Sequence, residues 1–579
     1  MSSTYCLLLS AFCLLPTAFC LLPSAYCLLP TAYCFCLLPS NPTMSIEIGK
    51  VLGTEDAQPL DFWIAVAPEQ TVQLDDVIFV NRELPDGQRV TLYGIVDILR
   101  ARHEGARFET DVFLSAEGLF PLGHSIVAHV SVTRVEPEIF VPPLPGQRVF
   151  RAAGVERDQA LFFDGMKRKF PMGLSRDGEV IYGNLEFLDG SRGAHVNISG
   201  ISGVATKTSY ATFLLYGLFN SGILEEDATN ARAIIFNVKG EDLLFLDKQN
   251  AVRRPEAAEA YARLGLIPDA FSSVAIFAPV KAREEVLLPD TGSRQEGVTA
   301  FCWTIEEFCR ERYLRFLFAE ADDETSHLSA VIDRVEAALA READLSGYES
   351  FDHLVDFICM SLDHWATAAS GTLAAFERRL RAAAFRIGHL IRGRVPEAER
   401  HRIDWKQKQL TVVDIHNLHD RAKRFVVGIV LRRMFEDKER AGTARPLVFV
   451  VLDELNKYAP RDGWSPIKEV LLDISERGRS LGVILIGAQQ TASEVERRIV
   501  GNCAFRVVGR LDLAEAHRDE YRFLTVASRA RAGILKPGTV IVHQPEIPTP
   551  LLVQFPFPSW ATRVSEVAKT STGDPFDGF

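Results

Sequence analysis

Residues 200–209 read Gly-Ile-Ser-Gly-Val-Ala-Thr-Lys-Thr-Ser, and a Lys-Thr pair closing a glycine-containing loop is phosphate chemistry. Loop amides and the start of a following helix point N–H groups at an anion. The lysine adds positive charge at the β and γ oxygens, and the hydroxyl reaches Mg²⁺. The cradle would comprise Gly200, Ser202, Gly203, Val204, Ala205, Thr206, Lys207, Thr208 and Ser209, with Lys207 as the cation and Thr208 as a metal ligand. The spacing departs from GxxxxGK[ST], because Thr206 stands where the last glycine belongs and Gly200 lies one residue too far away. A glycine-rich strand-to-helix turn without a ligand is the competing reading.

Residues 447–454 (LVFVVLDE) form a hydrophobic run ending in two acids. At the C-terminal end of a strand in an open α/β sheet, Asp453 would hold Mg²⁺ directly or through its water. Glu454 would polarise the water that attacks a γ-phosphate. A turn or helix cap is the alternative for an isolated Asp-Glu pair. Further on, SERGRSLGVILIGAQQ carries Arg477 and Arg479 ahead of a strand that ends near Gln489. An amide at that tip would sense the γ-phosphate or position water. Arg477, Arg479 and Arg510 are candidates for a finger into a neighbouring subunit's site, and the first two also for contact with a DNA backbone or for solvated surface charge.

These groups need a sheet to hold them. HVNIS before the loop is short and β-branched, and YATFLLYGL after it is helix-compatible. AHVNIS, ARAIIFNV, SSVAIFA, LTVVDI, PLVFVVLDE, GVILIGAQ and FRVVGRL alternate with helical segments, which predicts an α/β domain with a buried, mainly parallel sheet. Between about 297 and 394 the strands vanish and amphipathic patterns such as Leu328–Glu342 and Leu373–Ile391 predict a helical insertion. Six arginines crowd its second half (Arg378, Arg379, Arg381, Arg386, Arg392 and Arg394), either lining a channel, meeting an acidic partner or forming a solvated face. His416 and His419 near Asp414 lack a third firm ligand and read as surface groups. Ahead of the α/β domain, DFWIAVA, DDVIFVNR, RVTLYGIVDIL, FETDVFLSA and SIVAHVSVTRVE predict a small β-barrel, with Pro142–Gly146 as a linker. Thr539–Phe555 returns to strand character.

Taken together, HVNISGISGVATKTS, AIIFNVKGEDL, LVFVVLDE, RGRSLGVILIGAQQ and RIVGNCAFRVVGRL resemble the HerA–FtsK superfamily of ring-forming ATPases, the HerA branch in particular. The resemblance runs from about Leu161 to Phe555 and includes the barrel. Where that branch ends its second strand in an Asp-Pro-His-Gly-Glu type sequence, this chain has Asn237-Val238-Lys239-Gly240-Glu241, so Glu241 matches and Asn237 replaces the leading acid. The resemblance implies a HAS-type barrel before a RecA-like P-loop motor that uses ATP and Mg²⁺. It further implies a homo-oligomer, a hexamer, translocating double-stranded DNA without reading sequence, beside a NurA-type or other nuclease, in end processing or phage defence. The expected domains are a repeat over 1–43, a barrel over 44–145, the RecA-like P-loop ATPase domain over 146–565, and a flexible tail over 566–579.

The chain has 579 residues and a net charge of -12, which rules out a generally basic nucleic-acid coat but not a locally basic channel. Residues 5–40 repeat a unit like CLLPTAY every seven residues. Prolines 16, 23 and 30 break a coiled coil, and no Lys or Arg precedes Lys50 to orient a membrane span. The expected explanation is translation of a repetitive DNA tract upstream of an initiator at Met44. Six of the ten cysteines lie in the repeat, and Cys302, Cys309, Cys359 and Cys503 are scattered without CxxC spacing, so a cytoplasmic protein without membrane contact is expected. Two other readings stay open. One is a nucleotide-gated scaffold that binds ATP with little turnover, which Thr206 and Asn237 would favour. The other is a membrane-anchored coupling ATPase of the conjugation type, which needs residues 5–40.

Overall fold

The computed structural model describes residues 45–104, 108–119, 123–201, 207–252, 254–282, 286–318, 327–342, 345 and 347–568. The heptad repeat, Ser202, Gly203, Val204, Ala205 and Thr206 of the expected cradle, and the tail from 569 lie outside the described residues.

Six strands, β1 (Glu47–Val51), β2 (Asp61–Val66), β3 (Val77–Glu83), β4 (Arg89–His103), β5 (His124–Glu136) and β6 (Arg148–Arg151), close into an antiparallel barrel in the order β1-β2-β5-β4-β3-β6. Closure removes free sheet edges, and alternate side chains such as Phe62, Ile64, Ile78 and Val80 fill the interior. Gly49 on β1 is required by this closeness, since a Cβ there would collide with the Ala65 carbonyl oxygen across the β1–β2 pair. Two sequence expectations change. FETDVFLSA contributes a short helix, Asp111–Ala116, because the Asp111 carboxylate accepts the Phe108 N–H at 3.0 Å and starts a turn that Gly118 ends at φ +74°. Pro142–Gly146 is no exit linker but leads into β6, the strand that closes the barrel. The barrel is tied to the α/β domain by Asp76, which Arg176 and the barrel's own Arg151 hold, and by Asp75, held by Arg531 at 2.7 Å.

The remaining strands are β7 (Lys169–Leu174), β8 (Val180–Asn184), β9 (Val196–Ser199), β10 (Arg232–Asn237), β11 (Val274–Pro279), β12 (Val298–Phe301), β13 (Trp303–Thr304), β14 (Ile391–Arg392), β15 (Leu410–Asp414), β16 (Val448–Asp453), β17 (Val483–Gln489), β18 (Phe505–Val508), β19 (Thr539–His543) and β20 (Leu551–Gln554). Twelve of them form one sheet in the order β12-β11-β15-β10-β16-β17-β9-β18-β19-β20-β7-β8. From β12 to β18 the pairs are parallel, and the last four strands extend the sheet antiparallel. This is an α/β fold, a large and mainly parallel sheet standing behind the barrel.

Each central strand is buried on both faces. Val448, Val450 and Leu452 of β16 face one core with the insertion helices, while Phe449 and Val451 face the other with helix Lys207–Asn220. That two-sided burial is why these strands read as unbroken hydrophobic runs. The insertion holds helices Ile305–Arg310, His327–Leu339, Phe351–Trp365 and Ser370–Ile387. Strand structure persists at its margins, for β12 extends the main sheet and the parallel pair β13–β14 joins entry to exit. Its first helix starts on a capping box in which Thr304 Oγ1 accepts from the Glu307 N–H and Glu307 Oε2 from the Thr304 N–H. Among the described residues no helix is long and apolar enough to cross a membrane.

Candidate functional site

The parallel register sets the tips of three strands level. Asp453 of β16 pairs with Ala488 of β17, and Gln489 of β17 pairs with Ser199 of β9. The loop after β9 and the acids after β16 therefore open on the same end of the sheet, separated by the one strand that carries Gln489. A cavity of about 370 Å³ lies there, lined in part by Lys207, Thr208, Lys239, Asp453, Trp560 and Arg563.

Lys207 opens helix Lys207–Asn220 and is 6% exposed, with its Nζ donating to the Gly200 carbonyl oxygen at 2.7 Å. Burial pushes its ammonium below the usual lysine range, Asp453 pulls it back up, and neighbouring Lys239 adds to the depression. The Thr208 hydroxyl donates to Asp453 Oδ2 at 3.4 Å, so hydroxyl and carboxylate face one another across the site. Ser209 also lines the cavity. Gly200 continues the sheet past β9 by donating its N–H to the Gln489 carbonyl oxygen at 3.1 Å, and Ile201 does the same to Arg510 at 2.7 Å.

Glu454 adopts a left-handed backbone, φ +56°, at the turn from β16 into helix Leu455–Tyr458. A non-glycine residue there stores strain of order 1–3 kcal/mol, the kind of cost that surroundings over-determine at functional sites. Asp453 Oδ1 supports the turn by accepting the Glu454 N–H at 2.8 Å. Both carboxylate oxygens of Glu454 are engaged, Oε1 by Lys239 Nζ at 2.6 Å and Oε2 by Lys457 Nζ at 2.9 Å. Burial acts to raise this carboxyl, but the two lysine hydrogen bonds overcome it and hold it below the usual range.

Gln489 is fully buried. Its Nε2 donates to Asn197 Oδ1 at 2.9 Å and Ser199 Oγ at 3.1 Å, while its Oε1 has no partner among the described residues. Glu241 turns to the loop beyond β11, accepting the Gly292 and Ser293 N–H groups at 2.7 and 3.0 Å. Asn237, where the resemblance expects an acid, donates to Asp414 Oδ1 at 2.9 Å, so the tip of neighbouring β15 brings an acid to this place.

The three arginines divide. Arg510 follows β18 on the cavity side of the sheet, and its Nε donates to the Gly533 carbonyl oxygen at 3.1 Å. Arg477 and Arg479 sit at the end of helix Pro466–Leu481, which returns the chain to the start of β17. They therefore lie at the other end of the strands from Lys207. Arg477 is ion-paired with Glu439 and Asp473, and Arg479 donates to the Gly190 and Ser191 carbonyl oxygens at 2.9 and 2.8 Å. In the insertion, Arg381 is tied to Asp356 and Glu377, whereas Arg378 and Arg386 are exposed.

His416 is not the surface group expected: its Nδ1 lies 2.8 Å from Asp414 Oδ1, and this hydrogen bond raises its pKa. His419 caps helix Asp420–Ala441. No metal-binding group of three or more His, Cys, Asp and Glu occurs among the described residues. Cys302, Cys309, Cys359 and Cys503 are free thiols. Sequence reasoning missed the roles of Lys239 and Lys457. A cation two residues beyond a strand tip was the available signal for the first, and the i,i+3 spacing from Glu454 for the second.

No family model matches the chain, and no curated protein does. Solved structures similar to it include VirB4 of Thermoanaerobacter pseudethanolicus, at 17% identity over 68% of this chain and 97% of that one, with a TM-score of 0.42. Another is the bacterial conjugative coupling protein TrwBdeltaN70, at 13% identity over 69% and 92%, with a TM-score of 0.41. The plasmid coupling protein TrwB in complex with ADP and Mg²⁺ matches at 14% identity over 65% and 88%, with a TM-score of 0.40.

Proposed function

We propose that the chain is a Mg²⁺-dependent ATPase of HerA type, whose turnover drives a hexameric ring along double-stranded DNA in end processing or phage defence, beside a nuclease such as a NurA-type partner. The observation that carries the nucleotide reading is the convergence of Lys207, Thr208 and Asp453 on one cavity at the strand tips, with Glu454 held at its edge by the cavity-lining Lys239. The Thr208 hydroxyl and the Asp453 carboxylate are hard oxygen donors of the kind Mg²⁺ takes. Bound between them, the ion would neutralise charge on the β and γ oxygens.

The chain's own residues supply the rest. Lys207, buried but flanked by acids, places its charge beside the transferred phosphoryl group. Glu454 accepts a proton from the attacking water, and the unpartnered Oε1 of Gln489 orients that water. Ser202, Gly203, Val204, Ala205 and Thr206 contribute amides to the phosphates. Arg510, on the cavity side, is the favoured finger into an adjacent protomer's site. DNA is gripped through its phosphates, with exposed Arg378 and Arg386 as candidate contacts.

One observation favours the scaffold reading instead. Both oxygens of Glu454 are occupied by lysines, and a carboxylate so stabilised is a weak base. ATP hydrolysis by protein started at Met44, with and without linear duplex DNA, separates the two. DNA-stimulated turnover that is lost in Lys207→Ala and Glu454→Gln supports the motor. Tight ATP binding without turnover in either condition sinks it and leaves the scaffold.

A further inference from the structure

Glu454 cannot take a proton efficiently while two ammonium groups hold its carboxylate. One of the lysines must let go, and the structure distinguishes them. Lys457 sits one helical turn from Glu454, so it moves with the residue it binds. Lys239 approaches from the loop after β10 and lines the nucleotide cavity; the two lysine side chains are equally exposed, so it is this place on the cavity wall that separates them. It is also close enough to Lys207 to depress that ammonium further.

We propose that Lys239 is a phosphate-operated clamp: it exchanges Glu454 for the terminal phosphate of a bound nucleoside triphosphate, and so frees Oε1 for the attacking water. The inference rests on reading the cavity as a nucleoside triphosphate site. A terminal phosphate carries more negative charge than one carboxylate and offers more acceptor oxygens, so it competes for the ammonium. A diphosphate ends one group short and leaves Lys239 on Glu454. The loop restricts the exchange to the side chain. Asn237 Nδ2 donates to the Gly240 carbonyl oxygen at 2.8 Å on one side of Lys239, Gly240 turns at φ +60°, and Glu241 is anchored to Gly292 and Ser293 on the other. The clamp thus couples the presence of a third phosphate to release of the base.

The test uses the full chain and equilibrium binding of two fluorescent nucleotides, ADP and the non-hydrolysable β,γ-imido triphosphate. Lys239→Ala is expected to weaken the triphosphate about 10-fold and ADP by less than about twofold, the size of one lost charged hydrogen bond. Lys239→Arg restores most of the difference, and Lys457→Ala changes both nucleotides alike. Equal weakening of both nucleotides, or none, overturns the clamp, as does a triphosphate-selective loss in Lys457→Ala. A wild-type chain that binds neither nucleotide overturns the triphosphate reading along with it. Binding of both without selective loss sinks the clamp alone.

Discussion

Two ends of one sheet bury basic groups in opposite ways. At the C-terminal tips of β9, β17 and β16, Lys207 is almost fully buried, yet Asp453 and Glu454 stand beside it and a cavity opens on it. At the strand starts, Lys438 is 1% exposed, and its Nζ donates to the Pro446 carbonyl oxygen at 2.7 Å with no carboxylate in ion-pair range among the described residues. Burial lowers the Lys438 pKa to about 8. His195, just before β9, is also buried there, and its pKa is lowered to about 4. Burial weakens the charge of both lysines. Only at the tips is that charge balanced by acids and aimed at space for a ligand, whereas at the starts the basic groups serve the packing.

The largest effects that sharpen this contrast are on turnover. Lys207→Ala and Glu454→Gln each lower kcat by about 10²–10³-fold, as loss of one transition-state contact does, while thermal midpoints stay near wild type. Lys438→Met leaves kcat unchanged. A Lys438 variant as inactive as Lys207→Ala would break the division between the ends.

His195 carries the next effect. Its Nδ1 accepts the Leu485 N–H at 2.9 Å and its Nε2–H donates to the Ser475 carbonyl oxygen at 3.2 Å, so the neutral ring ties β17 to helix Pro466–Leu481. A proton on Nδ1 cancels the first bond. Because burial lowers the folded pKa from 6.5 to about 4, the unfolded chain binds the proton first. Stability from this group is complete above pH 6.5 and falls as pH drops towards 4, by about 3 kcal/mol in all. Denaturant titrations at pH 7 and pH 4.5 read it as a difference between wild type and His195→Gln, the substituted chain losing less.

Lys438 moves stability in a separate window. Its folded pKa of about 8 lies below the 10.5 of the unfolded group, so the cost of burying the ammonium is present in full below pH 8 and is relieved as pH climbs to 10.5. The difference in melting temperature between wild type and Lys438→Met therefore changes between pH 8 and 10, in favour of wild type at the higher pH. A pH-independent difference would mean that the ammonium is solvated in the folded chain.

How much of the molecule was legible in its sequence depends on which signals are local. Strand runs such as LVFVVLDE and FRVVGRL announce themselves because two-sided burial demands unbroken apolar residues. Lys207, Thr208 and Asp453 could be named because loop and strand-tip chemistry has fixed spacing. What the sequence hid depends on pairing between distant segments. The order that sets β17 between β9 and β16, the Lys239–Glu454 contact and the Asn237–Asp414 contact all come from strand neighbours far apart in the chain. FETDVFLSA misled because its alternation was short enough for one Asp111 turn to decide it. Arg477 and Arg479 look close to Gln489 along the chain, yet β17 carries Gln489 to the far end of the sheet.

Arg479 yields the smallest expected effect and the finest test of the two ends. Its guanidinium clips the Gly190–Ser191 turn to the end of helix Pro466–Leu481 through two carbonyl oxygens. Gly190 suits that clip, because its φ is +90° and a Cβ would press to 2.5 Å from the Arg479 carbonyl oxygen. Two exposed hydrogen bonds contribute modestly, so Arg479→Ala lowers stability by about 1 kcal/mol and leaves the turnover of the assembled protein within about twofold of wild type. Arg510→Ala, measured beside it, removes the arginine on the cavity side. If Arg479→Ala instead lowers turnover more than Arg510→Ala at equal oligomeric state, a neighbouring protomer is reading the packing end of the sheet as part of its own site. The two ends would then be halves of one intersubunit active centre rather than separate regions.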